Sequence, residues 1–157
     1  VKNRIMDGET VYFVDRELIE AKLNFLENQL ELFNSQAETW TSAIERAALE
    51  RICHMSIEII LDVGNAIIDG FIMRDPGSYE DIIDILLDEK VINNGEAVGL
   101  KEVIYLRKVL VQEYLDVNHE KLILTFVTHE KNLNAFPTNI RNYIKNELGP
   151  VTAFKPV

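Results

Sequence analysis

From Thr41 to Asp69 apolar side chains recur at spacings of three and four, and they do so twice over. Ile44, Ala48, Ile52, Met55, Ile59, Val63 and Ala66 form one stripe, and Ile57, Leu61, Gly64 and Ile68 form another. This period is that of an α-helix and not of a strand. Thr41 or Ser42 supplies the cap that opens it. A helix with two apolar stripes must be covered on two sides. In a chain of 157 residues the expected cover is bundle neighbours on one side and a second copy of the chain on the other.

The rest of the chain repeats the period. Asp15 can cap a first helix, with Val14 and Ile19 spaced as a hydrophobic staple. Ile19, Leu23, Leu26, Leu30, Phe33 and Ala37 line its face, and Leu18, Phe25 and Leu32 widen it. Ser78 caps a short third helix carrying Ile82, Ile83, Ile85, Leu86 and Leu87, which Asn93-Asn94-Gly95 ends. A fourth helix is expected from about Ala97 to Leu115. Asn118 opens a fifth, with Leu122, Phe126 and Leu133 among its apolar positions. Pro137 is expected to break the chain before a last short helix from Asn139 to about Leu148. Strand-like alternation is confined to Val11–Val14. The expectation is a disordered extension over residues 1–10, a single helical domain over 11–148 and an extended tail over 149–157. The fold class is all-α, a four-helix bundle with an extra C-terminal helix.

Hydrophobic residues make up 47% of the chain, enough for a packed core without staples. Cys53 is the single cysteine, which excludes a disulfide framework and a cysteine zinc site and reads as an inert core thiol. No apolar run reaches the ~18 residues of a membrane span, and the first residues lack the pattern of a secretory leader. A cytoplasmic location is therefore expected, with no membrane association. Net charge is −10, which argues against coating nucleic acid by charge alone, and no DNA partner is expected. The charge is uneven. Residues 1–100 hold 8 Lys and Arg against 20 Asp and Glu, whereas residues 101–157 hold 8 against 6. Contacts with phosphates belong to the C-terminal third.

One residue breaks the pattern of the fourth helix. Leu100, Ile104, Val111 and Tyr114 keep the core spacing, and position 107 among them is arginine. A guanidinium in an apolar stripe must find acceptors, because it cannot shed its charge. It is either an ion-paired core residue or an anion site, a phosphate being the best match to its planar fork. The second helix carries a polar ladder, Arg51, His54, Glu58, Asp62, Asn65 and Asp69. It reads as a solvated face or as a set of partners for Arg107, with Glu58 and Asp62 best placed. His54 and Glu58 could ligate a metal, but the helix lacks the Glu-x-x-His pattern of bundle di-metal sites, so none is expected. No phosphate-binding glycine loop, H-E-x-x-H or nucleophile elbow is present, and no cofactor is expected. His119 and His129 read as ordinary surface residues.

Several segments together resemble the HepT-like family of the HEPN superfamily. They are Ala43-Ile44-Glu45-Arg46, Ile57-Glu58, Leu61-Asp62-Val63-Gly64-Asn65, the turn Pro76-Gly77-Ser78-Tyr79-Glu80-Asp81, and above all Leu106 through Val117. The resemblance runs from about Val11 to Lys145. It implies a helical bundle that dimerises through its central helices. It also implies a metal-independent endoribonuclease toxin, acting at a cleft between subunits and paired with a small nucleotidyltransferase antitoxin. In that family an Arg holds the scissile phosphate, a His helps activate the ribose 2′-hydroxyl, and a Tyr two residues later can receive a nucleotide from the antitoxin.

Carried over residue by residue, Arg107 matches the Arg and Tyr114 the modifiable Tyr, while the His position holds Gln112 and Lys108 stands where the family often has Asn. Glutamine cannot exchange a proton near neutral pH, and loss of a general acid–base typically costs ~10²–10⁴-fold in rate. The resemblance with this departure implies a weak or degenerate ribonuclease whose site uses Arg107, Gln112 and Tyr114, supported by Lys108, Glu58, Asp62 and Asn65. Two other readings stay open. One is a non-catalytic homodimer binding RNA, a nucleotide or a nucleotidyltransferase. The other is a structural dimer in which Arg107 is only an ion-paired core residue.

Overall fold

The structure, a computed structural model, describes residues 3–7, 10–36 and 39–149. Within them a short hairpin precedes seven helices. Strands β1 (Asn3–Asp7) and β2 (Thr10–Val14) pair antiparallel, Asn3 opposite Val14 and Asp7 opposite Thr10. The disordered extension expected over residues 1–10 is thus paired backbone from Asn3 to Asp7. The β-favouring run Val11–Val14 supplies one strand, and the hairpin gives it a partner. Strand β2 packs on the second helix, and Val14 is buried against the core.

Helix α1 (Arg16–Ser35) starts on Asp15, whose carboxylate accepts from the Leu18 N–H at 3.1 Å. Ile19, Leu23, Leu26, Leu30 and Phe33 are buried as their spacing predicts. Leu18, Phe25 and Leu32, expected to widen that face, instead lie on the outer surface, 50%, 43% and 50% exposed. Ala37 lies outside the described residues. Helix α2 (Ala43–Gly70) opens with a full capping box between Ser42 and Glu45. It is the central element. Helix α1, β2 and helices α3, α5 and α6 all pack on it. Both apolar stripes are therefore covered largely by the chain itself, apart from Ile44 and Ala48 near the start, which stay exposed. Cover by a second copy is not required to bury them. Cys53 is fully buried in this helix, and burial, with the nearby Glu50 charge, pushes its thiol pKa far up.

Helix α3 (Tyr79–Asp88) is capped by Ser78. Asn93 does not end that helix but opens α4 (Asn94–Tyr105) through a capping box with Glu96. Helices α2 and α3 both finish in a Schellman turn. In one, the Met73 N–H donates to the Ile68 carbonyl around Ile72 at φ 56°. In the other, the Val91 N–H donates to the Leu86 carbonyl around Lys90 at φ 61°.

The fourth helix does not run on to Leu115. It tightens at buried Leu106, whose N–H reaches back to Val103, and α5 (Arg107–Val111) follows as one short turn. The apolar period lapses there, with Gln112, Glu113 and Asp116 leaving nothing to bury. Helix α6 (His119–Thr128) is capped by Asn118. The last break falls at His129 and not at Pro137, because α7 (Glu130–Leu148) runs straight through the proline. An interior proline costs a helix about 3 kcal/mol. Pro137 is itself buried beside Leu133, Phe136, Ile140, Ile144 and Leu148, and burial at about 25 cal/mol per Å² along that face offsets the cost.

Candidate functional site

Three elements meet at Arg107. It is the first residue of α5, directly after the joint at Leu106. Its Nε donates to Oε1 of Glu58 on α2 at 2.5 Å, and its guanidinium carbon lies 4.5 Å from the ring centre of Tyr79 at the start of α3. Both side chains of the ion pair keep some contact with solvent, at 22% for Arg107 and 27% for Glu58. His54, one turn before Glu58, places Nε2 3.4 Å from the same carboxylate oxygen. The carboxylate and the ring fix the guanidinium from two sides. Among the described residues, the terminal nitrogens of Arg107 have no hydrogen bond.

The turn before Tyr79 is braced in its own right. Arg74 donates from both terminal nitrogens to Asp81, at 2.7 and 2.8 Å, and the Gly77 N–H donates to the same carboxylate at 2.8 Å. The Ser78 hydroxyl accepts from the Asp81 N–H. The Arg74 guanidinium, helped by the Gly77 N–H, lowers the Asp81 pKa to about 2. Tyr79 is thus held beneath Arg107 by a local lattice of charge-assisted hydrogen bonds.

Arg107 opens onto a groove of about 400 Å³ bounded by Ser78, Tyr79, Ile104, Tyr105, Lys108 and Gln112. Gln112 sits at the end of α5 and is exposed, with its backbone tied to Lys108. Lys108 Nζ lies 3.9 Å from Glu113. Arg107, Lys108, Gln112 and Glu58 are therefore assembled in one place. Tyr114, two residues beyond Gln112 in sequence, is 62% exposed and outside the lining of the groove. Asp62 does not reach Arg107. It pairs with Lys22 of α1 at 3.7 Å and lines a different groove, together with Asn65, Asp69 and Ile72.

Tyr79 is the contributor that spacing does not reveal, since a residue directly after a helix cap carries no periodic signal. The two histidines also find partners. His119 Nε2 lies 2.8 Å from Glu50, and His129 Nε2 bonds Glu102. No three His, Cys, Asp or Glu side chains among the described residues converge as metal ligands. No described helix is long and apolar enough to cross a membrane. A guanidinium that lines an open groove with its terminal nitrogens not hydrogen-bonded, beside a lysine and an amide, is suited to hold a phosphate.

Residues 19–140 match the HepT-like family, described as Ribonuclease HepT-like. A Bacillus subtilis (strain 168) protein provisionally named RNase YutE is 54% identical over 145 residues, 92% of this chain and all of that protein. The solved structure of YutE, described as a cytosolic protein of unknown function, has a TM-score of 0.87 at 55% identity, covering 91% of this chain and 99% of that one. A toxin–antitoxin crystal structure with AMP-PNP shares the fold at TM-score 0.70 and 16% identity, covering 80% of this chain and 98% of that one. So does a tri-AMPylated Shewanella oneidensis HEPN toxin in complex with its MNT antitoxin, at TM-score 0.67 and 16% identity, covering 79% and 94%. The chain belongs to the HepT-like family.

Proposed function

We propose that this protein is a metal-independent endoribonuclease of the HepT-like toxin type, weakened by the glutamine at position 112, and that it acts in the cytoplasm. The observation that carries the reading is Arg107 braced by Glu58 and Tyr79 while it lines, together with Gln112, one groove. In this reading Arg107 holds the scissile phosphate. The ribose 2′-hydroxyl attacks the adjacent phosphorus, the bond to the 5′-oxygen breaks, and the proton passes from the first oxygen to the second through water. Gln112 orients the hydroxyl by hydrogen bonding but exchanges no proton, so the reaction runs slowly.

The working unit is a homodimer. Its support is the exposed row Leu18, Phe25 and Leu32 on α1. The row is spaced evenly about Phe25, so two antiparallel copies of α1 would set Phe25 against Phe25 and Leu18 against Leu32, as a two-fold interface requires. Light scattering should give twice the chain mass of 18.0 kDa, and Phe25→Glu should give a monomer. A parent that is already monomeric would end this part of the reading. Exposed Tyr114 is the candidate acceptor for nucleotide transfer from a nucleotidyltransferase partner, with support from the toxin–antitoxin complexes that share the fold.

Gln112 favours a second reading, a non-catalytic dimer that keeps the groove to bind RNA. One assay separates the two. A labelled structured RNA is incubated without metal with the parent, Arg107→Ala and Gln112→His. Cutting by the parent that Arg107→Ala abolishes supports the enzyme. An inert parent that gains activity with Gln112→His supports the binding module. If none of the three cuts or binds RNA, both readings fall.

A further inference from the structure

The joint at Leu106 has a second product besides Arg107. Tyr105, the last residue of α4, stands 63% exposed and borders two grooves at once, the Arg107 groove on one side and a second of about 370 Å³ on the other. The second groove lies between α4 and α6 and is lined by Lys101, Glu102, Lys121 and Thr125, with Glu80 shared between the two. Lys101 is held by Asp84 at 2.5 Å, and Glu102 by His129. Lys121 is exposed, and its ammonium has no partner among the described residues.

We infer that Tyr105 and Lys121 form a second nucleotide subsite, which takes the residue of a single-stranded RNA next to the phosphate held by Arg107. The inference rests on the reading of the Arg107 groove as a phosphate site. A tyrosine ring at the shared rim offers a flat face on which a base stacks whatever its identity. Lys121 lies beyond it with a free charge for the following phosphate. Glu80 repels the backbone and accepts from base amino groups, so the strand enters with its bases toward the groove. Asp84 neutralises Lys101, and His129 occupies the Glu102 carboxylate by a hydrogen bond, on the sides that border this path.

The test compares two 2′-O-methyl oligoribonucleotides, a dinucleotide and a hexanucleotide, by fluorescence anisotropy on the intact protein. In the parent, the hexanucleotide should bind much more tightly than the dinucleotide. Tyr105→Ala should reduce that advantage roughly tenfold, and Tyr105→Phe should retain it, because stacking needs the ring and not the hydroxyl. Lys121→Ala should lower the salt dependence of hexanucleotide binding by about one phosphate contact. Tyr105 is exposed, so these variants should fold, which circular dichroism checks. If Arg107→Ala abolishes binding while Tyr105→Ala and Lys121→Ala leave the length advantage intact, the subsite is wrong and the phosphate site stands. A hexanucleotide that binds no better than the dinucleotide also overturns the subsite. If the parent binds neither strand, the phosphate reading and the subsite fall together.

Discussion

Arg107 Nε and Glu58 Oε1 meet at 2.5 Å and tie α5 to α2 across 49 positions of sequence. The pair does two things. It satisfies one nitrogen of a guanidinium that is mostly withdrawn from solvent, and it leaves the two terminal nitrogens without a hydrogen bond among the described residues. Removing Glu58 should therefore cost stability. The pair is about three-quarters buried, so the loss for Glu58→Ala lies between that of surface and sealed pairs, about 1–2 kcal/mol. Glu58→Gln keeps an acceptor and should lose less. Urea denaturation of the two variants measures the difference, and equal stability of parent and Glu58→Ala would show that the bond contributes nothing.

Ile72 holds a left-handed conformation that β-branched residues rarely adopt, at φ 56°. Its side chain is 64% exposed, so little burial rewards it. Ile72→Gly should raise stability by about 0.5–1 kcal/mol, the relief of strain exceeding the extra entropy of glycine in the unfolded chain. Thermal denaturation should show a higher midpoint, and a lower one would mean that Ile72 packs better than its exposure suggests.

Asp81 should titrate near pH 2, held down first by Arg74 and then by the Gly77 N–H. Its pKa is depressed on folding, so its contribution to stability is complete above the unfolded value near 4 and is lost as pH falls toward 2. Side-chain carboxyl chemical shifts followed by NMR read this directly. In Arg74→Ala the midpoint should move up toward the ordinary aspartate range. An unmoved midpoint would shift the cause to the turn backbone.

Gly64 of α2 packs closely on α3. A Cβ built on it would stand 2.6 Å from Cγ2 of Ile82, a core residue 2% exposed. Overpacking there costs ~1–3 kcal/mol, against about 1 kcal/mol gained from better helix propensity. Gly64→Ala should be destabilising by about 1 kcal/mol in urea titration. Since α3 carries Tyr79, the same change should also weaken RNA binding at the Arg107 groove.

Most helices were legible from period and caps. Asp15, Ser42, Ser78 and Asn118 all cap where their sequence context places them. The joint at Leu106 was not, because a buried leucine carries no mark of a change in helix pitch. Pro137 misled because its backbone cost is local and obvious, whereas the core face that offsets it spans nineteen residues. At the site, Arg107 announced itself as a charge in an apolar stripe, and Glu58 as a carboxylate in the most apolar helix. Asp62 carried the same signal and pairs with Lys22 instead. Spacing along one helix cannot say which neighbour stands opposite each turn.

The sealed thiol of Cys53 gives the chain a built-in clock. A thiol reagent cannot reach a fully buried sulfur on the central helix until that helix separates from its neighbours. With a single cysteine in the sequence, every labelled molecule records one opening event. The labelling rate therefore reads the free energy or the rate of opening of the core, depending on how fast the helices reclose.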